Sequence, residues 1–140
     1  MKRILVPVDG SGSALHALRL AIARAKESPA EIHVLHVEPP PHYQEARLYA
    51  LRDDIAKIHQ QARQRLLQDA VDELQKEAVS HAVHLEDGEV ANAIARFADS
   101  QQMDEIVMGT RGMTAFGQML VGSVASRVVH FVKVPVTLVK

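Results

Sequence analysis

Cysteine is absent from the 140 residues. No disulfide framework can therefore be built, and no thiol is available as a nucleophile. The absence suits a reducing compartment. No apolar run approaches the roughly 18 residues that a membrane span needs. The opening stretch, Met1-Lys2-Arg3 followed by Ile4-Leu5-Val6-Pro7-Val8-Asp9, is charged and then apolar. Its apolar part is too short for a signal-peptide core and is interrupted by proline and aspartate. Charge of one sign is also lacking: the formal net charge is -1, which gives no global electrostatic case for nucleic acid. A soluble cytoplasmic protein without a nucleic-acid or membrane partner is expected. The length favours one domain, 1–140, able to bury about 68–70% of its unfolded surface.

Several familiar catalytic and binding patterns are missing as well. Gly10-Ser11-Gly12-Ser13-Ala14-Leu15 approaches the dinucleotide fingerprint G-x-G-x-x-G. Leu15 occupies the third glycine position, so the close helix–strand packing of that motif is not provided there. There is no G-x-x-x-x-G-K-[ST] phosphate loop. Eight histidines are many, but His33/His36 and His81/His84 are three apart on strands and point to opposite faces. Neither pair can share an ion locally. Ser11, Ser13 and Ser123 sit at expected helix starts, where capping is their ordinary work. Asp53-Asp54 and Glu86-Asp87 fall at helix starts or in loops, as solvated or capping charges do. No base, nucleophile or acidic metal pair stands out for hydrolysis.

What is present is a strict alternation of elements. Ile4–Val8 is a continuous apolar run, as in a strand covered on both faces. Asp9-Gly10-Ser11 turns the chain, and Ala14, Ala17, Leu18, Ala21, Ile22 and Ala25 then recur at helical spacing. Ser28-Pro29 ends that helix, and Ile32–Val37 forms a second strand. Pro39-Pro40-Pro41 opens a linker to Tyr49 with polyproline II character. A long helix is predicted from Ala50 to Val79, with Ile55, Ile58, Ala62, Leu66, Ala70, Leu74 and Ala78 on one face, covering a sheet. A strand over 81–85, a helix over 89–100, a strand over 105–109, a helix over 123–131 and a strand over 135–139 complete the chain. The pattern predicts an α/β fold: a doubly wound, Rossmann-like, five-stranded parallel sheet with helices on both faces. In such sheets ligands sit beyond the C-terminal strand ends, where the strand order switches. The polar, glycine-rich strand ends are Asp9-Gly10 and Gly109-Thr110-Arg111-Gly112. If their strands are neighbours, both loops face one crevice.

The second of these ends is the richer. Gly109-Thr110-Arg111-Gly112 closes a buried strand, nine residues follow, and Gly122-Ser123-Val124 opens a helix. Glycine lets a backbone or ligand approach closely. A helix N-terminus presents unpaired N–H groups and the positive end of its dipole. Together they suggest a phosphate cradle. Asp9, at the end of the first strand, suits either a helix cap or an acceptor for a ligand hydroxyl or amino group. Arg111 suits either the surface or a phosphate, base or ribose. The apolar residues Met113, Ala115, Phe116, Met119, Leu120 and Val121 are expected to pack over the site or on a partner subunit.

Val107-Met108-Gly109-Thr110-Arg111-Gly112, the nine-residue gap, Gly122-Ser123-Val124 and then Val134-Pro135-Val136 resemble the universal stress protein family. Asp9-Gly10-Ser11 adds to the match, and the resemblance spans essentially the whole chain. The G-x-x-G-x9-G-[ST] spacing is similar to that of the ATP-binding branch. The resemblance implies an adenine nucleotide alpha hydrolase-like fold and a nucleotide-dependent stress-response module. It places Pro7, Val8 and Asp9 against adenine and ribose, Val37 on the adenine, and Gly109 and Arg111 beside the ribose. It gives Gly112, Gly122, Ser123 and Val124 to the phosphates through backbone N–H groups and one hydroxyl. ATP, or AMP or ADP, is the implied ligand, with Mg2+ arriving on its phosphates. Two departures stand out: Ala125 replaces a second hydroxyl residue of some members, and Glu89 follows Gly88 where proline is frequent.

A binding and regulatory module is favoured over an enzyme. The alternatives are an interaction protein that does not use nucleotide, and a slow ATPase. The apolar last strand, Pro135–Val139, is an edge that needs covering. A two-fold homodimer through that strand would cover it.

Overall fold

The structure, a computed structural model, describes residues 1–40, 52–111 and 121–140, with the side chains of 52 and 53 outside the description. The elements in chain order are β1 (Lys2–Pro7), α1 (Gly12–Glu27), β2 (Ala30–Glu38), α2 (Arg52–Lys76), β3 (His81–Asp87), α3 (Val90–Ser100), β4 (Glu105–Gly109), α4 (Ser123–Phe131) and β5 (Val136–Val139). The strands form one five-stranded sheet in the order β3-β2-β1-β4-β5, parallel throughout. The α/β, Rossmann-like architecture read from the sequence is the one observed.

Alternation along the central strands builds a core on each face of the sheet. Ile4, Val6, Ile32, Val34 and Val107 point towards α1 and α2 and pack with Ala17, Leu18, Ala21 and Leu74. Leu5, Leu35, Val37, Ile106 and Met108 point the other way and pack with Ile94, Phe97, Ala125 and Val128 of α3 and α4. Two buried faces explain why these strands are continuously apolar.

The long helix ends at Lys76, short of the expected Val79, and its role differs from the expected one; its expected start at Ala50 lies outside the described residues. It runs from Arg52 to Lys76, and only its C-terminal half packs on the sheet. Ala70 and Leu74 are buried, whereas Ile58 is 61% exposed. The reason is length. A helix of 25 residues reaches roughly 37 Å at 1.5 Å per residue. The six residues of β1 extend roughly 20 Å. The N-terminal half of α2 therefore overhangs the sheet. Residues 41–51, which hold most of the proline-led linker, lie outside the described residues. Among the described residues, no helix is long and apolar enough to cross a membrane.

The order 3-2-1-4-5 makes β1 and β4 neighbours, with Ile4 beside Glu105 and Leu5 beside Ile106. Chain direction switches there: from β1 the chain moves outward to β2 and β3, then returns to β4 and β5. The loops after β1 and β4 diverge at this point and leave a crevice beyond the strand ends.

Candidate functional site

A cavity of about 450 Å³ opens at that switch point. Its walls include Pro7, Val8 and Asp9 after β1, Val37 of β2, Gly109 and Arg111 after β4, and Gly122, Ser123 and Val124 at the start of α4. Nine of the ten residues expected from the sequence thus line one space; the tenth, Gly112, lies outside the described residues. Met113 to Leu120 lie outside them too, whereas Val121 packs against the α3–α4 core.

The β1 end of the cavity is built by local hydrogen bonds. Gly10 turns the chain with φ of +85°, a conformation that disfavours any side chain. Asp9 Oδ1 accepts from the Ser11 N–H at 2.9 Å. Asp9 is exposed and does not cap α1. The cap is Ser11, whose Oγ accepts from the Ala14 N–H. Ser13 does not cap either; its hydroxyl donates to the Arg111 carbonyl at 2.6 Å. The two loops are therefore tied together across the crevice.

The β4 end is held from the other side. The Thr110 N–H donates to the Val139 carbonyl at 2.8 Å, and the Thr110 carbonyl accepts from the Gly122 N–H at 2.5 Å. Gly122 is the N-cap of α4, with φ of -70° and ψ of 164° and no side-chain cap bond. The cap expected of Ser123 is thus absent, because the helix begins at Ser123 itself and its hydroxyl stands just inside the helix. The Gly122 N–H is already bonded within the chain. The N–H groups of Ser123 and Val124, in the first turn, have no intrahelical acceptor. They bring the positive end of the α4 dipole to the cavity wall.

The far wall is fixed by α3. Glu89 caps that helix by accepting from the Asn92 N–H at 2.8 Å, and its other oxygen pairs with Arg127 of α4 at 2.5 Å. The carboxylate that departs from the frequent proline thus links the two helices on this face. Val90 and Ile94 of α3 complete the apolar side of the cavity.

The histidines form contacts that spacing along one strand does not reveal. His33 and His84 stack across β2 and β3 with ring centroids 5.1 Å apart. His33 Nδ1 lies 2.9 Å from His84 Nε2, and His33 Nε2 faces Glu31. Register explains the meeting: His33 pairs with Ala82, so His84 is its diagonal neighbour on the same face. His84 also packs on Phe97 at 4.7 Å. Burial, helped by His33 and Arg3 and opposed by Glu86 and Glu31, holds the His84 pKa below the ordinary imidazole value. Among the described residues, no group of three or more side chains is placed to hold a metal ion.

The model of the universal stress protein family matches residues 1–140. The chain belongs to this family. A universal stress protein of Methanocaldococcus jannaschii is 32% identical over 99% of this chain and 82% of its own length. One from Thermus aquaticus is 34% identical over 99% of this chain and 98% of its own. Among solved structures, a universal stress protein from Archaeoglobus fulgidus in complex with dAMP superposes with a TM-score of 0.73. It is 26% identical and covers 100% of this chain and 98% of its own.

Several residues of this universal stress protein's site escaped sequence reasoning, His36, Val90 and Ile94 among them. His36 lines the cavity, but its hydrogen bond crosses from one strand end to another and leaves no spacing signal. Val90 and Ile94 lie within the helix expected over 89–100; their position in the wall follows from where α3 docks.

Proposed function

We propose that this universal stress protein is an adenine-nucleotide-binding module that acts in stress regulation through nucleotide occupancy. The observation that carries the proposal is the cavity at the β1/β4 switch point, apolar on its Val37, Val90 and Ile94 side and lined by the N-terminus of α4 on another. An adenine ring fits the apolar side, and phosphates fit a helix N-terminus. Asp9 keeps one oxygen on Ser11 and turns the other towards a ribose hydroxyl. Val37 and Val8 flank the base, and Gly109 and Arg111 stand on the ribose side. Ser123 and Val124 supply N–H groups and a hydroxyl to the phosphates, with Gly112 and Gly122 allowing close approach. The dAMP complex of the Archaeoglobus fulgidus relative supports this class of ligand.

ATP is the nucleotide we assign, with Mg2+ carried in on its phosphates. Asp9 is the sole acidic residue in the described cavity wall, so the protein offers no cage for the ion. Bound ATP supplies the charge and the triphosphate reach; the chain's own residues bind and orient it. The chain also pairs with a second copy through Pro135–Val139. In support, β5 is an edge of the sheet, and its four residues are half-buried.

Mass spectrometry of the protein as purified, followed by calorimetry with ATP, ADP and AMP, tests the reading. A co-purifying adenine nucleotide and saturable heat with ATP are expected. No co-purifying nucleotide and no heat at millimolar ATP would leave an interaction protein working through its surfaces.

A further inference from the structure

The adenine-nucleotide reading uses Val8, Asp9 and Val37 but leaves His36 without a role, although the residue is buried and lines the same cavity. The β1–β2 ladder ends at Pro7 and Leu35. Beyond it, the Val8 N–H still donates to the Leu35 carbonyl at 2.9 Å. The Val8 carbonyl is held by a side chain: His36 Nδ1 lies 2.9 Å from it. A carbonyl only accepts, so Nδ1 carries a proton and donates. On the other side of the ring, Nε2 faces Glu38 Oε2 at 3.2 Å. With the proton on Nδ1 the ring's bond runs to the peptide that leads into Asp9, and Nε2 turns towards the Glu38 side.

That peptide is planar, so its carbonyl, its N–H and the Asp9 Cα move as one unit. Holding the Val8 carbonyl therefore sets where the Asp9 backbone leaves the sheet. Asp9 itself is exposed, and among the described residues its side chain is anchored by one bond, from the Ser11 N–H. We propose that His36 is a positioning residue of the nucleotide site: its Nδ1–H fixes the Val8–Asp9 peptide and pre-organises the base-and-ribose end. The inference rests on the adenine-nucleotide reading above. Pre-organised walls raise affinity by removing ordering costs from the binding step.

Three substitutions test it. In His36→Asn the amide N–H occupies nearly the place of Nδ1 and can still donate to Val8. In His36→Gln the amide lies one bond further out, towards Glu38. His36→Leu keeps bulk and loses the bond to Val8. Calorimetry with AMP should find the Asn variant within about threefold of the wild type and the Gln and Leu variants weakened at least tenfold, about 1.4 kcal/mol. The same loss is expected with ATP, because the affected end of the ligand is common to both. A ring held for packing alone would not distinguish Asn from Gln. If His36→Leu does not fold, the Asn/Gln pair and a long-range 1H–15N spectrum of the wild type decide. That spectrum should show Nδ1 of His36 protonated. Equal AMP affinity in the Asn and Gln variants, or an unprotonated Nδ1, overturns this inference alone. Absence of AMP and ATP binding by the wild type overturns the nucleotide reading, and this one with it.

Discussion

Gly109 and Ser13 are in such close contact that a side chain on the glycine would force the start of α1 to shift. A Cβ built on Gly109 would stand 2.8 Å from the Ser13 carbonyl carbon and 2.9 Å from the Ala14 nitrogen, and closer still to Ser13 Oγ. The Ser13 hydroxyl is held in place by donating to the Arg111 carbonyl, and the backbone atoms cannot rotate away. The close helix–strand approach that Leu15 fails to provide is thus achieved from the other side, by a glycine at the end of β4. Gly109→Ala should cost about 1–3 kcal/mol, as overpacking does. Urea unfolding measures it. A loss below about 0.5 kcal/mol would mean that α1 shifts freely against β4.

Asp9 should matter more to ligand than to fold. Because Ser11 caps α1, Asp9→Ala removes one bond to the Ser11 N–H and leaves the cap intact. At most about 1 kcal/mol of stability should be lost. Affinity for ATP should fall while the unfolding midpoint stays nearly constant. Calorimetry showing unchanged affinity would remove Asp9 from the site.

His84 should make stability depend on pH. Folding holds its pKa below the ordinary value, through burial first and then His33 and Arg3, against the opposing pull of Glu86 and Glu31. The unfolded chain therefore takes up this proton first as pH falls. The native state is unpenalised above about 6.5, the unfolded value, and loses stability as pH drops below it. Urea titrations at about pH 7.5 and about pH 5.5 should show a larger loss in the wild type than in His84→Leu. Equal losses would assign the acid sensitivity to other groups.

How much of this was legible in the chain follows from the range of each interaction. The strands Ile4–Val8 and Ile32–Val37 were legible because each is buried on both faces, and burial writes itself into consecutive residues. In the cavity wall, Asp9, Gly109, Gly122 and Ser123 were legible because turns and helix starts need particular residues at particular places, whereas Pro7, Val8 and Val37 followed from the family resemblance. Strand order was not, since the pairing of Ile4 with Glu105 joins segments a hundred residues apart with no local mark. The His33–His84 contact depends on register, and the His36–Val8 bond on where two strands stop. The overhang of α2 escaped because periodicity reports a face, not what lies opposite it; Ile58 keeps the period and meets solvent.

Gly122 separates a turn requirement from a ligand requirement. Its φ of -70° and ψ of 164° are open to any residue, so backbone conformation does not demand glycine there. Its N–H, bonded to Thr110, would survive substitution. What a side chain would disturb is the approach of phosphates to the Ser123 and Val124 N–H groups beside it. Gly122→Val should cost the apo protein no more than the preference of the cap position, about 1 kcal/mol. Nucleotide affinity should fall at least tenfold, about 1.4 kcal/mol. At a hundred times the dissociation constant, ATP stabilises the wild type by about 2.7 kcal/mol, and the variant should lose most of that gain at the same concentration. Thermal scans of both proteins with and without Mg-ATP measure the two effects separately. Equal ligand-induced shifts would show that phosphates do not reach this helix start.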